Sequence, residues 1–391
     1  MTVERVYLDH NATSPLRPAA RAAMQEALAV GNASSVHAEG RAARARIERA
    51  REQVAGLVGS DPRAVTFTSG ATEANVLALS PEFQIEGRAG RCDVLLISGV
   101  EHPSVRAGGR FSPERVEIVP VDRDGVIDIA ALEASLALHQ NAGRRAFVSV
   151  MAANNETGTL QPLAEVGAIV HAAGGIFHSD AVQVAGKRAF SLVAGGADLI
   201  SISSHKLGGP LGAGALIARN EEFRVPPILR GGGQERGRRA GTENVAAIAG
   251  FGAAAEQAAA GIASEARRLA DLRNAAEVGM RAIAPEAVVL SFGAERLPNT
   301  LCFAVPGVAA ETVVIALDLE GIAVSAGAAC SSGKVGPSEA LAAMQVAPGI
   351  AKGAIRVSLG WSTTESDISR FLEAWKRVYL NFSQRRREHA A

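Results

Sequence analysis

A single lysine in this chain stands where its amine could serve as a nucleophile. The stretch from Ser201 to Pro210, SISSHKLGGP, places Lys206 directly after His205 at the end of an apolar, β-branched run. A lysine amine attacks only when uncharged, and the end of a buried strand is a place where desolvation lowers its pKa enough for Schiff-base chemistry with an aldehyde. On its own this spacing also suits a solvated surface lysine.

Four further apolar runs end in residues that suit such chemistry. Gly174 to Gln183, GGIFHSDAVQ, closes on His178, Ser179 and Asp180. Asp180 is placed to keep the ring nitrogen of pyridoxal phosphate protonated, so that the ring accepts the electron pair released at an amino acid's α-carbon; it is equally placed to cap a helix. Val65 to Asn75, VTFTSGATEAN, reads as a strand, a turn and a helix start at which free N–H groups and hydroxyls suit a phosphate, or as an ordinary capped connection. Asp93 to Ser98 leads into Glu101 and His102, an imidazole able to stack on a ring and relay protons. Phe147 to Gly158, FVSVMAANNETG, ends near Asn155, an amide able to donate to a ring oxygen or to fill a turn. Five strand ends thus present hydroxyls, an imidazole, an amide, a carboxylate and a lysine, the set needed for a cofactor site along the carboxyl edge of a sheet.

With those residues in view the chain resembles the cysteine desulfurases, a branch of the aminotransferase class V group of fold-type I pyridoxal phosphate enzymes. The likeness runs from YLDHNAT at Tyr7 to Thr13 through GNASSVH, TSGATEAN, EHPSV, NNETG, HSDAVQ, SSHKLGGPLGAGAL and GGGQERGRRAGTEN to SAGAACSSG and IRVSLG. It implies an α/β fold: a large, mainly parallel-sheet domain and a smaller α+β domain. It also implies that Lys206 is the Schiff-base lysine, Asp180 the pyridinium partner, Asn155 and Gln183 donors to the phenolic oxygen, and His102 the stacking residue. Ala71, Thr72, Ser203 and His205 match the phosphate cup, and Thr242 matches a threonine brought across the interface of a homodimer. Cys330 matches the nucleophile that takes sulfur from L-cysteine as a persulfide and leaves L-alanine. Arg356 matches the arginine that binds the substrate carboxylate, with Asn11 and Asn32 as further candidates for substrate contact. The loop around Cys330 resembles the longer-loop branch, which hands sulfur to an acceptor such as an iron–sulfur scaffold. One departure stands out: Ala328, Ala329 and Ser331 surround the thiol where many relatives carry serine and threonine. A selenocysteine lyase or a class V aminotransferase would use the same lysine and aspartate.

The remaining residues narrow the reading. Cys330 falls in VSAGAACSSGK, small residues that bury little apolar area, which predicts a mobile loop. Cys92 and Cys302 lie in or beside apolar runs and are expected to be buried, and no cysteine or histidine spacing predicts a metal site. Neither G-x-G-x-x-G nor a phosphate-loop G-K-[ST] is present, which argues against a nucleotide-binding module.

Forty basic and forty acidic side chains balance, so no global field favours nucleic acid or a membrane surface. The opening MTVERVYLDH has no secretory pattern, and a cytoplasmic enzyme is expected. From Val65 to about Leu216 short β-branched runs alternate with helical stretches, which predicts βαβ units in a large domain at 15–250. Residues 1–14 with 251–391 are expected to form the small domain, after an alanine-rich helix over Asn244 to Ala266. Arg44, Arg46, Arg49 and Arg51 recur at helical spacing and predict a solvated face.

Overall fold

The computed structural model describes residues 5–327 and 338–390, with side chains up to residue 384. Its main sheet is built from strands β1 (Val65–Thr68), β2 (Val94–Ser98), β3 (Val116–Val119), β4 (Ala146–Ser149), β5 (Ile176–Asp180), β6 (Leu199–Ser203) and β7 (Gly214–Ala218), in the order β1-β7-β6-β5-β4-β2-β3. From β6 across to β3 all neighbours are parallel, whereas β7 runs antiparallel to both β6 and β1. Strands covered on both faces need no polar alternation, and every residue of β2, β4, β5, β6 and β7 is buried. The parallel direction sends the carboxyl ends of β2, β4, β5 and β6 to one edge, where Asp180 closes β5 and His102, Asn155 and Lys206 follow in the loops after the others.

Helix Ala38–Val58 covers part of this sheet. The His37 side chain caps its first turn by accepting from the Gly40 N–H, and Gly59 ends it in the left-handed conformation at φ 64°. It packs on helix Val245–Ala260 so closely that a Cβ on Gly252 would lie 2.5 Å from the Ala50 Cα. Two expectations change here. Arg51 lies on the buried side of Ala38–Val58, 3% exposed, because Glu235 from a distant loop reaches in to pair with it. The alanine-rich helix ends at Ala260: the chain bends by 77° at Gly261 into helix Ile262–Ile283.

The second sheet is antiparallel, with strands β8 (Val288–Val289), β9 (Thr300–Ala304), β10 (Ser325–Ala326) and β11 (Ala354–Ser358) in the order β8-β9-β11-β10. Its core gathers Leu301, Phe303, Val357, Phe371 and Trp375, and Val6 and Leu8 from the amino-terminal segment. That segment enters as Val6–Tyr7, parallel to Ile322–Ala323. The expected boundary at residue 250 falls inside helix Val245–Ala260, whose Ala247, Phe251, Ala254 and Ala258 belong to the large-sheet core. Among the described residues no single helix is long and apolar enough to cross a membrane. Cys92 and Cys302 are buried, as expected, and burial pushes both thiols up to about 12.

Candidate active site

At the carboxyl edge of the large sheet lies a cavity of about 390 Å³. Ala71, Thr72, His102, Asn155, Asp180, Gln183, Ser203, His205 and Lys206 all line it, which brings together nine of the residues singled out from sequence.

Beyond β6 a single 3₁₀ turn, Ser204–Lys206, delivers His205 and Lys206 to the cavity. The Lys206 Nζ donates to the carbonyls of Asn11 and, at 2.8 Å, Ala12, so the amino-terminal segment holds the amine in place. His205 shares a hydrogen bond with the Thr13 hydroxyl at 3.2 Å; burial, helped by the charges of Lys206 and Lys187, lowers its pKa to about 4 and keeps it neutral.

At the end of β5, Asp180 accepts from the Val182 N–H at 3.0 Å and from Asn75 Nδ2 at 2.8 Å. Asn75 lies on helix Ala71–Ala78, whose first turn faces the cavity beside Gly70 and Thr72. Strand β7 presses against this turn so tightly that a Cβ on Gly214 would sit 2.5 Å from the Gly70 carbonyl carbon. Glu73 also lines the cavity, where a carboxylate would oppose a bound anion. Burial works against its charge, but Arg239 at 2.9 Å and Ser69 outweigh that and hold its carboxyl below the usual range.

Asn155 is buried, and its carbonyl accepts from Arg356 Nη1 at 3.0 Å and Asn11 Nδ2 at 3.3 Å. Arg356 itself, fully buried in β11, does not line the cavity; its Nη2 pairs with Asp9 at 2.8 Å. Asn11 likewise stands behind the cavity, its carbonyl accepting from Gln183 Nε2 at 3.1 Å as well as from Lys206. Asn32 and Thr242 are exposed and lie away from the cavity, and the Asn32 carboxamide accepts from the Ser34 N–H in a turn. Cys330 lies outside the described residues.

Several residues of consequence carried no signal in the sequence. Lys187 is buried with its Nζ donating to Gln183 Oε1 at 2.7 Å and Asn11 Oδ1 at 2.8 Å. Burial, with Lys206 and Arg356 adding to it, pushes this amine well below the usual lysine range. Arg239 was visible only as one arginine among several, and its tie to Glu73 spans 166 residues.

Glu156, in the NNETG run, is buried and accepts from the Ser338 hydroxyl at 2.7 Å. Burial raises its pKa from the ordinary 4.5 to about 7, against the pull of Ser338 and Arg356. Between those two values the folded protein keeps a proton that the unfolded chain has released. Its stability therefore falls as pH rises through that window and levels off above it. The loss is about 3 kcal/mol at about 1.4 kcal/mol per pH unit. Chemical denaturation at pH 5 and pH 8 should show Glu156→Gln losing less stability across the window than the unaltered chain. An identical loss would place the proton elsewhere.

Residues 6–371 match the aminotransferase class V family. The chain is 43% identical over 380 residues to a cysteine desulfurase of Cereibacter sphaeroides, covering 95% of each. It is 38% identical over 378 residues to the cysteine desulfurase IscS of Dictyoglomus turgidum, covering 95% of this chain and 94% of that one. Among solved structures, a NifS-like protein from Rickettsia africae ESF-5 superposes with a TM-score of 0.85 at 34% identity, covering 96% of this chain and 99% of that one. A structure described as SspA in complex with cysteine superposes with a TM-score of 0.71 at 26% identity, covering 90% and 98%.

Proposed function

Because this chain belongs to the aminotransferase class V family, we propose that it is a cysteine desulfurase: L-cysteine and the Cys330 thiol become L-alanine and a Cys330 persulfide. The observation that carries this reading is the cavity that joins Lys206, Asp180 and His102 to a cup of donors.

The residues fit pyridoxal phosphate. The volume suits a small cofactor. Asp180 offers a buried carboxylate for the ring nitrogen, and the first turn of Ala71–Ala78 with Thr72, Ser203 and His205 offers donors for the phosphate, with Glu73 neutralised by Arg239. Asn155 and Gln183 offer amides for the ring oxygen, and His102 a flat face for the ring. When bound, the cofactor supplies an electron sink for the α-carbon of the amino acid.

The protein's own part begins at Lys206. Its amine is placed to take the α-proton of bound substrate and later to return one. The Asn11 and Ala12 carbonyls hold that amine, and both belong to a segment anchored by Asp9 to Arg356. Arg356, fully buried with Nη1 on the Asn155 carbonyl and Nη2 on Asp9, would have to release these partners to offer its fork to the substrate carboxylate. The Cys330 sulfur attacks the substrate sulfur, the C–S bond breaks, and its electron pair leaves with the three-carbon fragment, so the oxidation of one thiol is balanced by reduction of that carbon.

We further propose a homodimer in which the exposed Thr242 of each copy completes the phosphate cup of the other. Leu211, 72% exposed although it lines the cavity, supports a second copy at this mouth. We also propose a cytoplasmic enzyme, where thiols stay reduced as persulfide chemistry needs, with a sulfur-acceptor protein such as an iron–sulfur scaffold as its partner.

The test is a visible spectrum before and after L-cysteine, with alanine and sulfide measured in the same tube under a thiol reductant. Equal amounts of alanine and sulfide are expected. Cys330→Ala should keep the yellow colour and its response to L-cysteine while sulfide falls to background. Amino transfer to a keto acid that survives Cys330→Ala would make it an aminotransferase instead.

A further inference from the structure

His102 does not stand alone in the cavity wall. Its Nδ1 caps the short helix Pro103–Arg106 by accepting from the Ser104 N–H at 3.2 Å, and the Ser104 hydroxyl lies 2.7 Å from the same nitrogen. That hydroxyl oxygen in turn accepts from Asn75 Nδ2 at 2.9 Å, and the same Nδ2 donates to Asp180 at 2.8 Å. Four side chains from three elements thus form one chain of hydrogen bonds running from the cavity wall into the interior.

The direction of each bond follows from the donor inventory. Asp180 accepts at both oxygens, from the Val182 N–H on one and from Asn75 on the other. The Asn75 amide must therefore turn its NH₂ toward the carboxylate, since the opposite orientation would set two oxygens against each other. This leaves Asn75 Oδ1 buried with no donor among the described residues, a cost that the charged acceptor offsets. An amide nitrogen has two hydrogens, and the second goes to Ser104. Accepting from Asn75 leaves the serine oxygen a second lone pair, so the hydroxyl's direction is set by its neighbour: the Ser104 backbone N–H can only donate to His102 Nδ1, which makes that nitrogen an acceptor for the hydroxyl hydrogen too. Two donors on one ring nitrogen require it to be bare, and a neutral imidazole then carries its proton on the other. Burial, reinforced by Lys206 and opposed by Asp180, lowers the His102 pKa and favours the neutral ring.

We propose that Ser104 and Asn75 are positioning residues which, anchored on Asp180, hold His102 as the tautomer protonated on Nε2, so that this imidazole meets the substrate as a proton donor. The second half of that statement rests on the desulfurase reading. The lone pair of the neutral ring faces Ser104 and cannot receive the proton of a substrate thiol. His102 therefore hydrogen-bonds to a sulfur that is already a thiolate, or gives its proton to the product, and another group removes the thiol proton. The carboxylate that serves the cofactor nitrogen thereby also sets the protonation pattern of the residue on the ring's face.

Long-range proton–nitrogen NMR spectra of cofactor-loaded protein labelled with ¹⁵N-histidine, without substrate, test this. His102 is assigned by the signals lost in His102→Gln. The expected pattern at neutral pH is a pyrrole-type Nε2 coupled to both ring carbon-bound protons and a pyridine-type Nδ1. A proton on Nδ1, or a doubly protonated ring, in the unaltered protein overturns the proposal without recourse to any variant. Ser104→Ala keeps the backbone donor but removes the hydroxyl, and the two nitrogen shifts should move toward each other as the second tautomer appears. Ser104→Thr should restore the original pattern. Unchanged shifts in Ser104→Ala would remove the hydroxyl relay. Because no substrate is present, a failure here is distinguishable from a failure to desulfurate L-cysteine.

Discussion

Lys206→Ala will abolish turnover and leave the fold in place. The amine is held at the cavity by two backbone carbonyls, so its removal leaves two acceptors near a solvent-accessible cavity and takes away no core packing. Loss of a positioned proton-transfer group alone costs about 10²–10⁴-fold, and the covalent anchor of the aldehyde goes with it. Alanine production from L-cysteine should fall by at least about 10⁴-fold, the upper end of that range. Borohydride reduction followed by peptide mass analysis should fix the cofactor to the Lys206 peptide in the unaltered protein and to none in the variant. Among the described residues Lys187 is the rival, because burial also favours its uncharged amine. Cofactor mass on the Lys187 peptide would reverse the assignment.

The second large effect is structural, and it falls on Arg51 and Glu235. Both side chains are buried, and they meet through two parallel bonds, Nη1 to Oε2 at 2.7 Å and Nη2 to Oε1 at 2.9 Å. Glu235 also accepts from the Phe67 N–H at 2.8 Å, while Arg51 donates to the Val65 carbonyl and lies over the Phe67 ring. The pair therefore ties helix Ala38–Val58, strand β1 and the GGGQERG loop together. Burial works against the guanidinium charge, and Glu235, with the half-exposed Glu48 at 3.3 Å adding to it, more than offsets it. The backbone reflects the demand: Glu235 and Arg236 are both left-handed, at φ 47° and 57°, without being glycines.

Removing one partner leaves a buried charge uncompensated, and about 3–5 kcal/mol of stability should be lost in either Arg51→Met or Glu235→Leu. The two together should cost much less than the sum, because neither charge is then stranded. Denaturant titration of the four proteins measures it. Additive losses would show that the two side chains stabilise the fold independently. The same loop carries Arg239, which pairs with Glu73 in the proposed phosphate cup, so the single variants should also bind pyridoxal phosphate more weakly.

Much of the site could be read along the chain because each strand of a parallel sheet ends at the same edge. An apolar run followed by Asp180, or by His205 and Lys206, already says which end of the strand carries chemistry, and the expected strands at Val65, Asp93, Phe147, Gly174 and Ser201 are present to within a residue or two. The amino-terminal segment enters the core of the second sheet through Val6 and Leu8. What eluded the one-dimensional pattern is what depends on a partner far away in sequence. Arg51 has helical spacing with three other arginines, and only the arrival of Glu235, 184 residues later, makes it a buried ion pair. The alanine-rich run reads as one long helix because alanine favours helix throughout, and the bend at Gly261 is visible only in the folded chain.

Residue types along the strands by themselves determined the edge and the identities of the groups that line the cavity. Only the tertiary structure decided their state: that Arg356 sits behind the Asn155 carbonyl, that Lys187 fastens Gln183 and Asn11, and that the His102 ring is linked through Ser104 and Asn75 to Asp180. The physical reason is that strand periodicity is local and repeats every two residues, whereas protonation, tautomer and ion pairing follow from desolvation and from which donor meets which acceptor across the fold.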